Sequence, residues 1–262
     1  MIWQVRVVGR RSFVTTSPVQ LPLRSILWVL FFAAILGAWA VMFMMARMSG
    51  VDVIGRPVGM NMMPMTSFGA LFPMWAIMMA AMMLPTMIPT LRNYEALMKS
   101  ADGTRAGWVG VLIGYFITWV GFAVLISAVQ VLLIRFNAVD GLGISTTGWF
   151  ASGLLIVVGI FQFTRAKEIC HSVCHSPMTY FLGHWKTGFA GGLRMGLGLG
   201  AFCVGCCWGF MMLGFVGGVM SLLWMGLATL FMIFEKLPEI GHRVTKPAGV
   251  VLIGAGVLLA VL

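Results

Sequence analysis

The chain alternates long apolar runs with short segments that carry most of its charged residues. Runs such as 109–133 are unbroken and lack the alternation typical of a β-barrel, so their backbone groups must bond within the segment. Each helical crossing of a bilayer core of about 30 Å needs about 20 apolar residues. We therefore predict an all-α, polytopic membrane protein. Its transmembrane helices, about seven, are predicted at 26–46, 70–91, 107–134, 148–164, 192–216, 218–234 and 247–262.

Composition supports lipid as the surrounding medium. Hydrophobic residues make up 60% of the 262 positions and charged residues only 9%, whereas a soluble domain typically has about 25% charged residues. The connectors are short, and no segment has the composition of a separate soluble module. We expect one transmembrane helical domain over residues 1–262.

The basic residues predict the orientation. If the N-terminus is cytoplasmic, 14 of the 17 Lys and Arg residues fall in inside segments, and only Arg47, Arg56 and Arg135 lie outside. Lys and Arg are enriched in cytoplasmic loops, so we expect a bacterial inner-membrane protein with a cytoplasmic N-terminus and an external C-terminus. The net charge of +10 follows from this distribution. It requires no nucleic acid, and membrane lipid is the expected contact.

Methionine is the first chemical signal, with 23 residues. Four of them occupy the external run 60–65, and six lie in the second helix between 74 and 87. A thioether is a soft, neutral ligand that suits Cu(I). Methionine also fills irregular gaps between helices, and that alternative stays open for the helical stripe. A solvated loop has no core to fill, so the run 60–65 favours metal capture.

Three of the five cysteines lie in the predicted fifth helix, at Cys203, Cys206 and Cys207. Positions i, i+3 and i+4 share one helix face, and a rise of 1.5 Å per residue puts Met82 and Met83 at a similar depth. This predicts a mixed thiolate and thioether metal site. The alternative is that the thiols are small buried packing residues.

The other two cysteines lie in a segment predicted to be a cytoplasmic loop. Cys170 and Cys174 are each followed by a histidine, His171 and His175. Cysteine and histidine in this arrangement can bind Cu(I) or Zn²⁺. The spacing is not that of a zinc-finger knuckle, so an ordinary solvated loop remains the alternative.

Two local patterns concern helix geometry. Pro85 and Pro89 each remove a backbone donor and predict a kink in the second helix. The glycine-rich segment 188–200 predicts close packing against another helix.

The predicted spans contain no histidine, aspartate or glutamate in their interior, which argues against several functions that need such residues. All four histidines fall in cytoplasmic segments, which disfavours haem ligation inside a span. Every Asp and Glu, including Glu235, falls at a helix end or in a loop, so we predict no buried carboxylate. No catalytic signature is present, and we expect the protein not to be an enzyme.

Several blocks resemble those of a bacterial family of integral membrane proteins, classed as a domain of unknown function and as predicted metal-binding proteins. The resemblance covers about residues 70–237 and implies metal binding. Its blocks are Met78-Met79-Ala80-Ala81-Met82-Met83-Leu84-Pro85, Cys170-x3-Cys174-x-Ser176-Pro177, Cys203-Val204-Gly205-Cys206-Cys207-Trp208 with Met211-Met212, and Trp224-Met225 leading to Glu235-Lys236.

The leading hypothesis is a protein that binds, delivers or transports Cu(I) in the membrane, with a periplasmic copper carrier as one expected partner. The alternative is a non-catalytic accessory subunit of a larger membrane complex, copper-dependent or photosynthetic. The candidate metal ligands are Met78, Met79, Met82, Met83, Met211, Cys170, His171, Cys174, His175, Cys203, Cys206 and Cys207.

Overall fold

The structure is a computed structural model that describes residues 23–58, 66–98, 100–237 and 240–261, without the side chain of His242. These residues form eleven α-helices and one 3-10 turn (Pro85–Met87), and they contain no β-strand. The helices are α1 (Leu23–Met48), α2 (Phe68–Met83), α3 (Ile88–Met98), α4 (Arg105–Arg135), α5 (Gly148–Phe161), α6 (Arg165–His175), α7 (Pro177–His184), α8 (Gly188–Met212), α9 (Gly214–Gly217), α10 (Leu222–Glu235) and α11 (Gly241–Val261).

The predicted all-helical membrane fold is confirmed at this level. Within the described residues, five helical segments are long and apolar enough to cross a membrane, and α5 with α6 makes a sixth if that pair, bent by 65°, is one span. Helix α10 is apolar but has only 14 residues. The count of about seven and the orientation of the termini stay predictions. The methionine run 60–65 lies outside the described residues.

The helix is interrupted at Pro85, where the sequence predicts a kink. Helix α2 ends at Met83, a 3-10 turn follows over Pro85–Met87, and α3 continues from Ile88. Proline has no backbone N–H, so a carbonyl of the preceding turn loses its helical partner. That carbonyl belongs to Ala81, and it accepts a 2.9 Å hydrogen bond from Trp39 Nε1 instead. The Thr86 hydroxyl donates a 2.8 Å hydrogen bond to the Met83 carbonyl, which fixes the direction of the Thr86 side chain.

Helices α4 and α8 form the centre of the bundle because glycines let their backbones approach closely. A Cβ atom placed on Gly114 or Gly196 would collide with a carbonyl oxygen of the facing helix, that of Leu193 or Val111 respectively. The close packing predicted for segment 188–200 is therefore confirmed. This contact holds the cysteine face of α8 in a fixed position.

The segment after α5 is helical, so its prediction as a loop was wrong. Helix α6 begins at an N-cap, where the Thr164 hydroxyl accepts a hydrogen bond from the Lys167 backbone N–H. Its sequence mixes charges, histidines and cysteines, and the apolar pattern of a span is missing. Tertiary packing stabilises the helix: Cys170 lies against Gly205 of α8, where an added Cβ would be 2.8 Å from its sulfur.

Candidate metal centre

Helix α8 presents three buried thiols in the second half of its length. Cys203, Cys206 and Cys207 are each no more than 2% exposed, and the Cys206 and Cys207 Sγ atoms are 3.3 Å apart. The Cys206 thiol also contacts the Cys203 carbonyl at 3.2 Å. The predicted single face is thus present, and it points into the protein.

A fourth thiol reaches this face from α6. Cys174 Sγ lies 3.7 Å from Cys206 Sγ, and the sulfur atoms of Cys174, Cys203 and Cys206 all lie within 4.8 Å of one another. Three sulfur atoms that each bind one metal ion at about 2.3 Å are separated by roughly 3.7–4.0 Å. The three cysteines, called the thiol trio below, therefore have nearly the spacing of a three-sulfur metal site.

The other residues of α6 take different positions. Cys170 packs against Gly205 and is not in the trio. The His171 ring contacts the Glu235 carbonyl, with Nε2 2.7 Å from the oxygen, and the His175 ring lies 5.3 Å from that of His171. Among the described residues, neither histidine joins a cluster of three metal-ligand side chains. Their predicted role as ligands stays a prediction.

The methionine stripe faces the protein interior. All five candidate methionines are at most 3% exposed: Met78, Met79, Met82 and Met83 on α2, and Met211 on α8. Burial satisfies one condition for a thioether ligand and equally fits packing. Whether these sulfur atoms bind metal stays a prediction.

A lysine ammonium group lies against the trio. Lys236, the residue after α10, donates hydrogen bonds from Nζ to Thr86 Oγ1 at 2.8 Å and to Cys203 Sγ at 3.1 Å. The Tyr115 hydroxyl of α4 is 3.0 Å from the same sulfur. Since Thr86 belongs to the proline-induced turn, the break between α2 and α3 lies next to the thiol trio. A cation beside sulfur favours thiolate, the form that binds metals.

A buried ion pair contacts the backbone of α8 at Cys206, a member of the trio. Lys167 Nζ of α6 lies 2.7 Å from Glu235 Oε1, and both side chains are 1% exposed. The same ammonium donates a 2.7 Å hydrogen bond to the Cys206 carbonyl, and Thr245 of α11 donates to Glu235 Oε1 at 3.0 Å. Glu235 lies at the end of α10, as predicted, but its side chain is buried, which the sequence does not predict, and a lysine on a neighbouring helix compensates its charge.

Sequence reasoning missed five polar residues of this site: Thr86, Tyr115, Lys167, Glu235 and Lys236. Each lies at a helix end, at a break or on an apolar helix, where no periodic pattern distinguishes it. One signal was available, because Glu235 and Lys236 are adjacent opposite charges that directly follow the apolar helix α10.

The comparisons identify the family. The model of PpoB2, described as a copper chaperone, matches residues 72–259. The chain belongs to the PpoB2 copper chaperone family. The match covers the thiol trio, Lys236 and the ion pair, and it confirms the metal-binding part of the resemblance seen in the sequence. No curated protein and no solved structure matches the chain.

The donor set of the trio fits a soft metal ion. Thiolates and thioethers select Cu(I), whereas hard cations prefer oxygen ligands. The trio offers sulfur from two helices in a buried site with a cation beside it, an arrangement compatible with copper binding.

Proposed function

We propose that the protein is a copper chaperone of the bacterial inner membrane, which binds Cu(I) at Cys174, Cys203 and Cys206 and passes it on by ligand exchange. The convergence of these three sulfur atoms within 4.8 Å, in a chain of the PpoB2 family, carries the proposal. Copper is the cargo of the protein, and no chemical transformation of a substrate is assigned to it.

The charges around the trio support Cu(I) as the cargo. Cu(I) bound by three thiolates forms a complex of net charge −2, which is costly to bury without compensation. Lys236 supplies one positive charge at Cys203. Zn²⁺ in closed protein sites almost always takes four ligands in tetrahedral geometry, and the structure brings three thiols, not four, within mutual reach.

Cys174 is the proposed point of exchange. It is half-buried, whereas Cys203 and Cys206 are fully buried, so an incoming ligand reaches its sulfur first. It also belongs to the short helix α6, while the other two thiols belong to the long helix α8. A receiving protein that offers its own thiolate or thioether would therefore displace Cys174 before the α8 thiols.

The buried methionines on α2 support a supply route for copper. Thioethers bind Cu(I) without deprotonation, so the stripe Met78–Met83 provides neutral ligands along the second span. We assign the supply of Cu(I) to a periplasmic copper carrier and its use to a larger membrane complex. The sequence has no nucleotide-binding loop, so exchange between ligands moves the ion.

The test is Cu(I) binding by the purified protein, measured by competition with a chromophoric Cu(I) chelator under anaerobic, reducing conditions. The wild type should bind near-stoichiometric copper, with only sulfur neighbours in X-ray absorption spectra. Cys203→Ser and Cys206→Ser should lose more affinity than the roughly 10–100-fold typical for loss of an outer-shell partner. Cys170→Ser is the matched control, because it removes a thiol of α6 that lies outside the trio, and it should bind like the wild type.

Two results would contradict the proposal. If the wild type stays free of metal under these conditions, the chain is better explained as a non-catalytic subunit that packs in a larger complex. If it binds Zn²⁺ more tightly than Cu(I) at the same cysteines, the site is correct and the cargo is wrong.

A further inference from the structure

A second charged site lies away from the trio, at the opposite end of α3 from the proline-induced turn. It is a cleft of about 730 Å³ between the first turn of α1, the end of α3 and the start of α4. Three arginines, Arg24, Arg92 and Arg105, line it together with Glu95. Each arginine comes from a different helix, so folding brings them together.

The described lining of the cleft has more positive than negative charge. Glu95 is shared by two of them, with Oε2 3.0 Å from Arg24 Nη2 and Oε1 2.8 Å from Arg105 Nη1. Within the described part of the chain, Arg92 makes no ion pair with a carboxylate. The nearby Asp102 is not among the described residues that line the cleft. The described lining thus carries three positive charges and one negative charge.

The segment that precedes α1 cannot neutralise this excess. Residues 1–22 contain three arginines and no Asp or Glu. They add positive charge to the chain, and they contain no side chain that could supply the missing anion.

A groove with apolar side chains extends along α1 from the same arginines. A second cleft, of about 380 Å³, shares Arg24 and Arg92 with the first and extends along α1 over Trp28, Val29 and Phe32. The Trp28 and Phe32 rings are stacked with centroids 5.9 Å apart, and Val29 is 66% exposed. Cationic side chains followed by an apolar surface with an interfacial Trp match the profile of a phospholipid, with its headgroup at one end and its acyl chain at the other.

We propose that Arg24, Arg92 and Arg105 bind the phosphate of an anionic phospholipid whose acyl chain lies along Trp28, Val29 and Phe32. Arg92 makes the main contact, because its guanidinium is in no ion pair with a carboxylate of the described residues. Arg24 and Arg105 keep their ion pairs with Glu95, and these pairs hold the three helices around the cleft in place. The lipid joins α1 to the α3–α4 corner, and its binding does not depend on copper.

Native mass spectrometry tests this site. Protein equilibrated with equimolar phosphatidylglycerol and phosphatidylcholine of matched chains should retain phosphatidylglycerol preferentially. Arg92→Gln should lower that preference about fivefold, the size of one contact between arginine and an anionic lipid. Arg165→Gln is the matched control, since Arg165 is also exposed and lies outside both clefts. Val29→Asn should weaken retention of both lipids in the groove.

Competition separates the lipid from a free anion. Neither glycerophosphoglycerol, which has the headgroup without acyl chains, nor inorganic phosphate should displace the retained lipid at equal concentration. Displacement by either compound would overturn the assignment to a lipid in favour of a free-phosphate site. Equal retention of the two lipids by the wild type, or equal effects of Arg92→Gln and Arg165→Gln, would overturn the site itself.

Discussion

The Lys236 ammonium nitrogen lies 3.1 Å from Cys203 Sγ and 2.8 Å from Thr86 Oγ1. One lysine therefore connects α8, which carries two thiols of the trio, with the turn at Pro85. Its aliphatic stem is buried with the charge, since the residue is only 8% exposed. A buried lysine is stabilised by a negative partner, and the Cys203 sulfur is close enough to be that partner when it is ionised.

Replacement of Lys236 by Gln should weaken Cu(I) binding about tenfold, which corresponds to about 1.4 kcal/mol. Glutamine keeps a donor for Thr86 but loses the charge that offsets the copper–thiolate complex. The measurement is the dissociation constant from chelator competition. Lys236→Arg should stay within about threefold of the wild type.

Exposed Lys246 on α11 provides the control for total charge. Lys246→Gln removes the same charge from an exposed residue outside the trio and should leave copper affinity unchanged. Equal affinities for wild type and Lys236→Gln would show that the ammonium does not compensate the bound complex.

Removal of one member of the Lys167–Glu235 pair should destabilise the protein by roughly 3–5 kcal/mol, because the remaining charge is buried without its partner. The double replacement Lys167→Leu with Glu235→Leu should recover most of this loss. Unfolding in mixed detergent measures the free energy for the two single variants and the double variant. If the free energy of unfolding of each single variant falls by less than about 1 kcal/mol, the pair does not stabilise the site.

Mild oxidation with diamide should cross-link α6 to α8. The Cys174 and Cys206 sulfur atoms are 3.7 Å apart, so a small shift of α6 brings them to bonding distance. The Cys206–Cys207 contact is shorter, but neighbouring residues of a helix do not easily reach disulfide geometry. Peptide mapping should find the Cys174–Cys206 bond, and prior loading with Cu(I) should prevent it. A dominant bond at Cys170 would contradict the observed arrangement.

Substitution of Gly196 by Ala should reduce stability by about 1–3 kcal/mol, the usual cost of overpacking. Its methyl group would meet the Val111 carbonyl of α4 and push the two central helices apart. Gly121→Ala, at an exposed position of α4, is the control for helix propensity, because no atom lies within 4 Å of its added Cβ. This control should be neutral or more stable by up to about 1 kcal/mol.

The sequence predicts the long elements of this fold well, for physical reasons. A run such as α4 has no alternative to a helix in lipid, and the Pro85 break follows from the missing donor. Helix α6 was missed because its stability comes from contacts with α8, for example at Gly205, and those contacts are invisible in a local pattern.

Some residues of the candidate site can likewise be predicted from the sequence, and others cannot. The face shared by Cys203 and Cys206 follows from helical spacing alone. The addition of Cys174, with Cys170 outside, depends on how α6 turns back after the 65° bend. Lys167 and Lys236 look like ordinary basic residues of cytoplasmic segments, so only the folded chain reveals that their charges are buried at sulfur and at Glu235.

The thiol trio is divided unequally between its helices, with two sulfur atoms on α8 and one on α6. In the proposed copper complex, withdrawal of α6 by the length of one sulfur–metal bond would lower the coordination number of the ion from three to two. Such a step would leave the close α4–α8 contact intact. The proposed chaperone would then adjust its copper affinity through the position of one eleven-residue helix, without separating the two central helices.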